Sequence, residues 1–314
     1  MSVLANPTVA RVVARGMQWG MGRAARRTTT RARSRFPGHR ATTEPLRIPS
    51  TPGPVTATIY RPARTDRTPP VYVNLHGGGY VMGVREQDDP VCRLLAVEAG
   101  VVVVNVDYAL APQHRFPQPP EQIHEILVWI AEHGSEHGWD GTRLVVGGQS
   151  AGGALAAAGA RLALERGGPA ISLQVLHYPP LDLTVPAGAK HSPLARPMLR
   201  PWMGTVFDAA YVPDVTQRSD RLVSPAGGAD EADLTGIAPA LVIVAHNDIL
   251  AEEGRRYARR LEAAGALRGL LEVPDADHGY DVDDDVKALS SYGWIAERVR
   301  VATAVEAPPS AEHR

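Results

Sequence analysis

A serine bracketed by glycines, Gly148-Gln149-Ser150-Ala151-Gly152, stands between an apolar run at residues 144–146 and an Ala/Leu-rich run at 154–164. The first run reads as a buried strand and the second as a helix. A chain that turns directly from strand into helix crowds its flanks, and glycines two places either side of the serine relieve this. The turn lifts the Ser150 hydroxyl over the end of the strand and leaves the next backbone N–H at a helix N-terminus. A serine so exposed becomes a useful nucleophile when a base takes its proton and a third group orients that base. Alone, the pattern fits an ordinary serine in a glycine-rich loop equally well, so its partners must decide.

Of the eleven histidines, His133 and His137 are separated by Gly134, which breaks the helix a metal pair would need, and His124-Glu125 lacks the second histidine of a zinc helix. His278 lies in Pro274-Asp275-Ala276-Asp277-His278-Gly279-Tyr280, a loop between the last strand-like run and the last helix-like run. A Ser, Asp, His chain order puts the base there. The acid then belongs after the preceding strand, where Asp248 follows residues 241–245. Asp248 also reads as an N-cap for the helix near Glu252. Asp275 and Asp277 are rivals by proximity, although a residue next to His278 on an extended loop points away from it. His76-Gly77-Gly78-Gly79 follows a short apolar strand. Acyl transfer builds negative charge on a former carbonyl oxygen, and consecutive glycines let N–H donors approach it without side chains in the way. Gly78, Gly79 and Ala151 are the expected oxyanion donors. A phosphate loop is the weaker reading, because no Gly-Lys-Ser/Thr follows.

Strands are expected at residues 44–48 and 55–60, as a hairpin around Pro52-Gly53-Pro54, and at 71–75, 101–106, 144–146, 173–178, 241–245 and 270–273. Helices are expected at 89–99, 121–133, 154–164, 252–264 and 286–305. Residues 61–70 read as a surface loop. Strands alternating with helices make an α/β fold with a mostly parallel central sheet flanked by helices. Residues 180–220, rich in Pro, Arg, Met and Trp, break the rhythm and read as an insertion over the sheet's active end. Tyr80, Trp202, Met203 and Phe207 are the candidates for lining the pocket beneath it, with core packing the competing reading.

At 314 residues, 44% apolar and 21% charged, the chain can bury a full core. A net charge of −1 argues against a nucleic-acid binder, and the single Cys92 excludes an internal disulfide or a cysteine-rich zinc site. Neither a membrane span nor a signal peptide is visible, which leads to the expectation of a soluble, cytoplasmic protein. Nine arginines and no acid precede Glu44. The segment reads as a helix with a short apolar face (Val9, Val12, Val13, Met17), then a basic, poorly ordered link. A solvated arm over the domain is favoured over membrane-surface contact or polyanion binding.

The motifs together resemble the hormonesensitive-lipase-like family of α/β-hydrolases, the bacterial family IV carboxylesterases. The matching residues are His76 to Gly79, Asp107-Tyr108 with Leu110-Ala111-Pro112, Gly148 to Gly153, Tyr178-Pro179, Ser224-Pro225, Asp248 with Leu250 and Glu253-Gly254, and His278-Gly279. The resemblance implies Ser150 as nucleophile, His278 as base and Asp248 as orienting acid, with His76 structural. It also implies a cap formed by residues 1–42 and by the insertion. The catalytic domain is expected over residues 43–306 and a flexible tail over 307–314. The chain departs from the family at Gln149, where Asp or Thr is usual, at Ile249 (usually Pro), and at Ala251-Glu252 (usually Arg-Asp).

The function these residues imply is hydrolysis of small-molecule carboxylic esters through an acyl-enzyme, with no metal or cofactor, and with short or medium acyl chains favoured by the resemblance. A catalytically silent binding protein on the same fold, an amidase or lactonase with the same triad, and a membrane-associated lipase are the rivals. A homodimer is left open.

Overall fold

The structure, a computed structural model, describes residues 3–63 and 67–304. The tail expected from residue 307 lies outside the described residues, as does the centre of the 61–70 loop. In chain order the elements are α1 (Pro7–Ser34), β1 (Thr42–Ile48), β2 (Val55–Arg61), β3 (Pro70–Leu75), α2 (Asp89–Glu98), β4 (Val102–Val106), α3 (Gln118–Glu132) and α4 (Gly134–His137). They continue as β5 (Asp140–Gln149), α5 (Ala151–Arg166), β6 (Ile171–His177), α6 (Pro201–Tyr211), β7 (Ala240–Ala245), α7 (Ala251–Ala263), β8 (Leu267–Val273) and α8 (Asp285–Ala302).

The eight strands form one sheet in the order β1-β2-β4-β3-β5-β6-β7-β8. β2 pairs antiparallel with both its neighbours and every other pairing is parallel. The continuous valines of β4 and the apolar runs of β3 and β7 are buried along their whole length, as strands covered on both faces must be. One core cluster carries Ile123 and Leu127 of α3 with Leu155 of α5 against Val73, Val104 and Val146. The other carries Leu94 and Leu95 of α2 with Ile295 and Val299 of α8 against Val103, Val145 and Val175. The strand order doubles back between β3 and β5, so the loops leaving their C-terminal ends diverge to opposite faces and leave a crevice. The glycine loop follows β3 and the Ser150 turn follows β5, which puts both at this crevice.

The N-terminal segment differs from its sequence reading. α1 runs for 28 residues, capped by the Asn6 side chain. Its inner face is Ala10 and Ala14, both fully buried, with Val13 and Met17 packed partly buried beside them as expected, while Val12 is 65% exposed. α1 packs on α6, and small residues let the two backbones come close, so the larger valine is turned out. The basic link is tied down as well: the Arg93 guanidinium donates to the carbonyls of Arg35, Phe36 and His39 at 2.6, 3.0 and 2.8 Å, and Phe36 is buried. Among the described residues no helix is long and apolar enough to cross a membrane.

Candidate active site

Ser150 sits between the end of β5 and the first turn of α5 with φ 53° and ψ −121°, a region that side-chain-bearing residues rarely occupy. Such strain costs roughly 1–3 kcal/mol and persists only where the surroundings enforce it. Here the Ser150 N–H donates to the His177 carbonyl at 2.8 Å. A Cβ on Gly148 or Gly152 would overlap the Leu75 carbonyl, so β3 presses on the turn from the other side.

His278 lies past β8. Its Nε2 is 2.9 Å from Ser150 Oγ and its Nδ1 is 2.6 Å from Asp248 Oδ2. Asp248 Oδ1 accepts the Leu250 N–H at 3.1 Å, a turn just ahead of α7; the N-cap of α7 is Leu250, so Asp248 is not the cap that its other reading made it. Asp275 meets Lys287 only through its backbone carbonyl. Asp277 bonds the backbone around the histidine instead of its ring: Oδ1 accepts the His278 N–H at 2.7 Å and Oδ2 accepts the Met198 N–H, from the insertion, at 2.6 Å. Burial alone would lower the His278 pKa. The Asp248 carboxylate, helped by Asp277 and Asp281, outweighs burial and raises it above the ordinary 6.5.

The glycine loop is held from behind. His76 Nδ1–H donates to the Gly77 carbonyl at 2.9 Å, and the Tyr108 hydroxyl donates to the His76 carbonyl at 2.6 Å. Burial pushes the His76 pKa down to about 4, so the ring stays neutral near pH 7. The Gly77 Cα lies against the Ser150 turn: a Cβ there would be 3.5 Å from Ser150 Cβ. Neither the Gly78 nor the Gly79 N–H is engaged by another described residue, and Ala151 opens α5, where N–H groups lack helical acceptors. Gly78 has φ 133°, and a Cβ there would land inside the Met82 carbonyl. Gly78→Ala is therefore expected to lower kcat by at least ~10²-fold, the scale of losing one oxyanion donor. Steady-state kinetics beside a thermal melt checks this; a folded variant with near-normal kcat would remove Gly78 from the site.

A cavity of about 370 Å³ opens over Ser150 and His278. α1 contributes Met21 and Ala32, the residue after it Arg35, and the insertion Leu199, Met203 and Phe207. Tyr80 also lines the cavity, its ring stacked on Tyr211 at 4.0 Å. Trp202 corrects the sequence reading: it is 48% exposed and faces a separate groove near Pro197 and His191. Met203 and Phe207 are four apart on α6 and share a face, whereas the neighbouring Trp202 is turned about 100° away.

The chain shares its fold and sequence with known proteins. A family model described as alpha/beta hydrolase fold matches residues 72–282. Carboxylesterase NlhH of Mycobacterium tuberculosis is 37% identical over 224 residues, 71% of this chain and 70% of its own length. The chain belongs to the α/β-hydrolase fold family. This α/β-hydrolase is also 35% identical to ethyl acetate hydrolase of Pseudomonas putida, over 71% of this chain and 70% of that protein. The solved esterase of Pyrobaculum calidifontis superposes with a TM-score of 0.82 at 31% identity, covering 93% of this chain and 94% of the other. The relatives make it a carboxylesterase-type enzyme acting on esters, and the expected kinship with the hormone-sensitive-lipase-like group holds.

Some neighbours of the hydrolase's site escaped the sequence reading. Lys190 of the insertion pairs with Glu253 of α7 at 2.6 Å, both nearly buried, and Glu253 also accepts the Leu181 N–H. The Tyr178 and Tyr292 hydroxyls donate to Asp281 at 2.6 and 2.7 Å beside the cavity. Tyr178 and Glu253 stood among the family motifs, but Lys190, Asp281 and Tyr292 lie in stretches without pattern, and only the fold brings them together.

Proposed function

We propose that the enzyme hydrolyses short- to medium-chain carboxylic esters through an acyl-enzyme, with Ser150 as nucleophile, His278 as base and Asp248 as orienting acid. The observation that carries this reading is the continuous hydrogen-bonded line from Ser150 Oγ through His278 to Asp248. His278 takes the serine proton as Oγ attacks the ester carbonyl, and Asp248 keeps Nδ1 protonated and stabilises the imidazolium. The N–H groups of Gly78, Gly79 and Ala151 receive the developing oxyanion. His278 then protonates the leaving alcohol, and water repeats the cycle to release the acid.

The cavity lies at the small end of the range for ligand pockets, which supports short acyl chains. Across acetate, butyrate, octanoate and palmitate esters of one alcohol, kcat/KM is expected to peak at butyrate or octanoate and fall sharply at palmitate. A maximum at palmitate would overturn the chain-length reading, and no turnover of any ester would overturn the function.

The pH profile follows from His278. Only the neutral imidazole accepts the serine proton, so activity is lost as pH falls through the folded-state pKa. Because that pKa is raised, the acid limb of kcat/KM is expected above pH 6.5. A limb well below that value would separate the titrating group from His278.

A further inference from the structure

Gln149, the residue before Ser150, is 7% exposed. Alternation along β5 puts its side chain on the sheet face of Val145 and Gly147, which α2 and α8 cover. On that face Gln149 lines the cavity with Gln87, Asp88, Tyr178, Asp281 and Tyr292. The polar groups around it are partnered: Asn74 Nδ2 donates to Asp88 at 2.8 Å, both tyrosine hydroxyls donate to Asp281, and His177 Nε2 lies 2.8 Å from the Tyr280 hydroxyl. The Gln149 Oε1 is buried with no partner. Arg35 also lines the cavity, and its buried Nη2 is ion-paired with Asp285 at 2.6 Å. Over the opposite sheet face the cavity wall is mostly apolar, with Leu199, Met203, Phe207, Ile249 and Leu250, and its charged members are Asp208 and Lys190, the latter paired with Glu253. The cavity thus has one side suited to hydrocarbon and one side holding an unanswered amide beside the nucleophile.

A plain alkyl ester leaves that amide unpaired, and burying it so is costly. A carboxylate partner would be opposed by Asp281, and an ammonium by Arg31 and Arg35, which line the same cavity. Burial also raises the Asp88 carboxyl to about 7, so it is a weak counter-charge near neutrality. A neutral hydroxyl avoids both conflicts. Its oxygen accepts from the amide nitrogen, the end of Gln149 that is not sealed from solvent.

We infer that Gln149 is a specificity-determining residue that hydrogen-bonds a hydroxyl carried by the substrate near its ester group, making hydroxylated short-chain esters the preferred class. This rests on the esterase reading of Ser150. The test compares kcat/KM within two matched pairs, ethyl β-hydroxybutyrate against ethyl butyrate and ethylene glycol monobutyrate against propyl butyrate, for wild type, Gln149→Leu and Gln149→Met. The first pair places the hydroxyl on the acyl side and the second on the alcohol side. Wild type is expected to favour the hydroxylated member of one pair by about tenfold or more, and both variants to bring that ratio near one. Each ratio is read within one protein, so a general loss of folded or active enzyme cancels. Absence of a preference in both wild-type pairs, or a preference that survives in both variants, would overturn the inference. Wild type that turns over the plain esters but shows no preference leaves the esterase reading standing, whereas folded wild type that turns over none of the four overturns both.

Discussion

Ser150→Ala is expected to lower kcat by about 10⁶-fold while leaving a folded protein whose residual rate still exceeds the uncatalysed one. The size follows from the roles: without the hydroxyl no acyl-enzyme forms, and what remains is binding plus the N–H groups of the glycine loop. Folding is expected to survive because alanine is smaller than serine and the constraints on the turn are backbone ones. The Ser150 N–H bond to His177 and the approach of Gly148 and Gly152 to Leu75 do not involve Oγ. The checks are single-turnover kinetics with a chromogenic acetate ester, the acyl-enzyme burst, and circular dichroism. A surviving burst would show that another residue is the nucleophile.

The second large effect is at the acid. Asp248→Asn is expected to cost about 10⁴-fold in kcat by imposing the wrong histidine tautomer. The surroundings dictate the orientation of the new amide. Its oxygen must stay toward the Leu250 N–H, which now donates to Oδ1 at 3.1 Å, so its NH₂ faces His278 Nδ1. Nδ1 then becomes an acceptor, the ring proton moves to Nε2, and Ser150 meets a donor where it needs a base. Asp277→Asn should be far milder, since Asp277 bonds backbone N–H groups and not the ring. Should Asp277→Asn lose more activity than Asp248→Asn at equal folding, Asp248 is not the orienting acid.

The parts of the site readable from sequence were those whose local chemistry is self-contained. The Ser150 turn shows itself because glycine is required on both flanks, and the glycine loop because three glycines follow a strand. The parallel sheet was legible because β3, β4 and β7 are apolar without alternation. The N-terminal face was half legible: Val13 and Met17 pack partly buried against the core as read, but the fully buried Ala10 and Ala14 are settled by how closely α6 approaches, which no periodicity reveals. The cavity wall was half legible for the same reason. Met203 and Trp202 are equally apolar and adjacent, and only the rotation of α6 against the sheet separates them. Lys190 and Glu253 are 63 positions apart, and no composition rule pairs them.

Asp277 reaches the base loop with one oxygen and the insertion with the other. Any displacement that lifts the insertion off the cavity must therefore break the bond to Met198 or drag the histidine loop with it. In the first case the roof comes free and the base keeps its anchor; in the second, the proton relay is dismantled while the door stands open. A single carboxylate thus ties the roof of the chamber to the loop that carries His278.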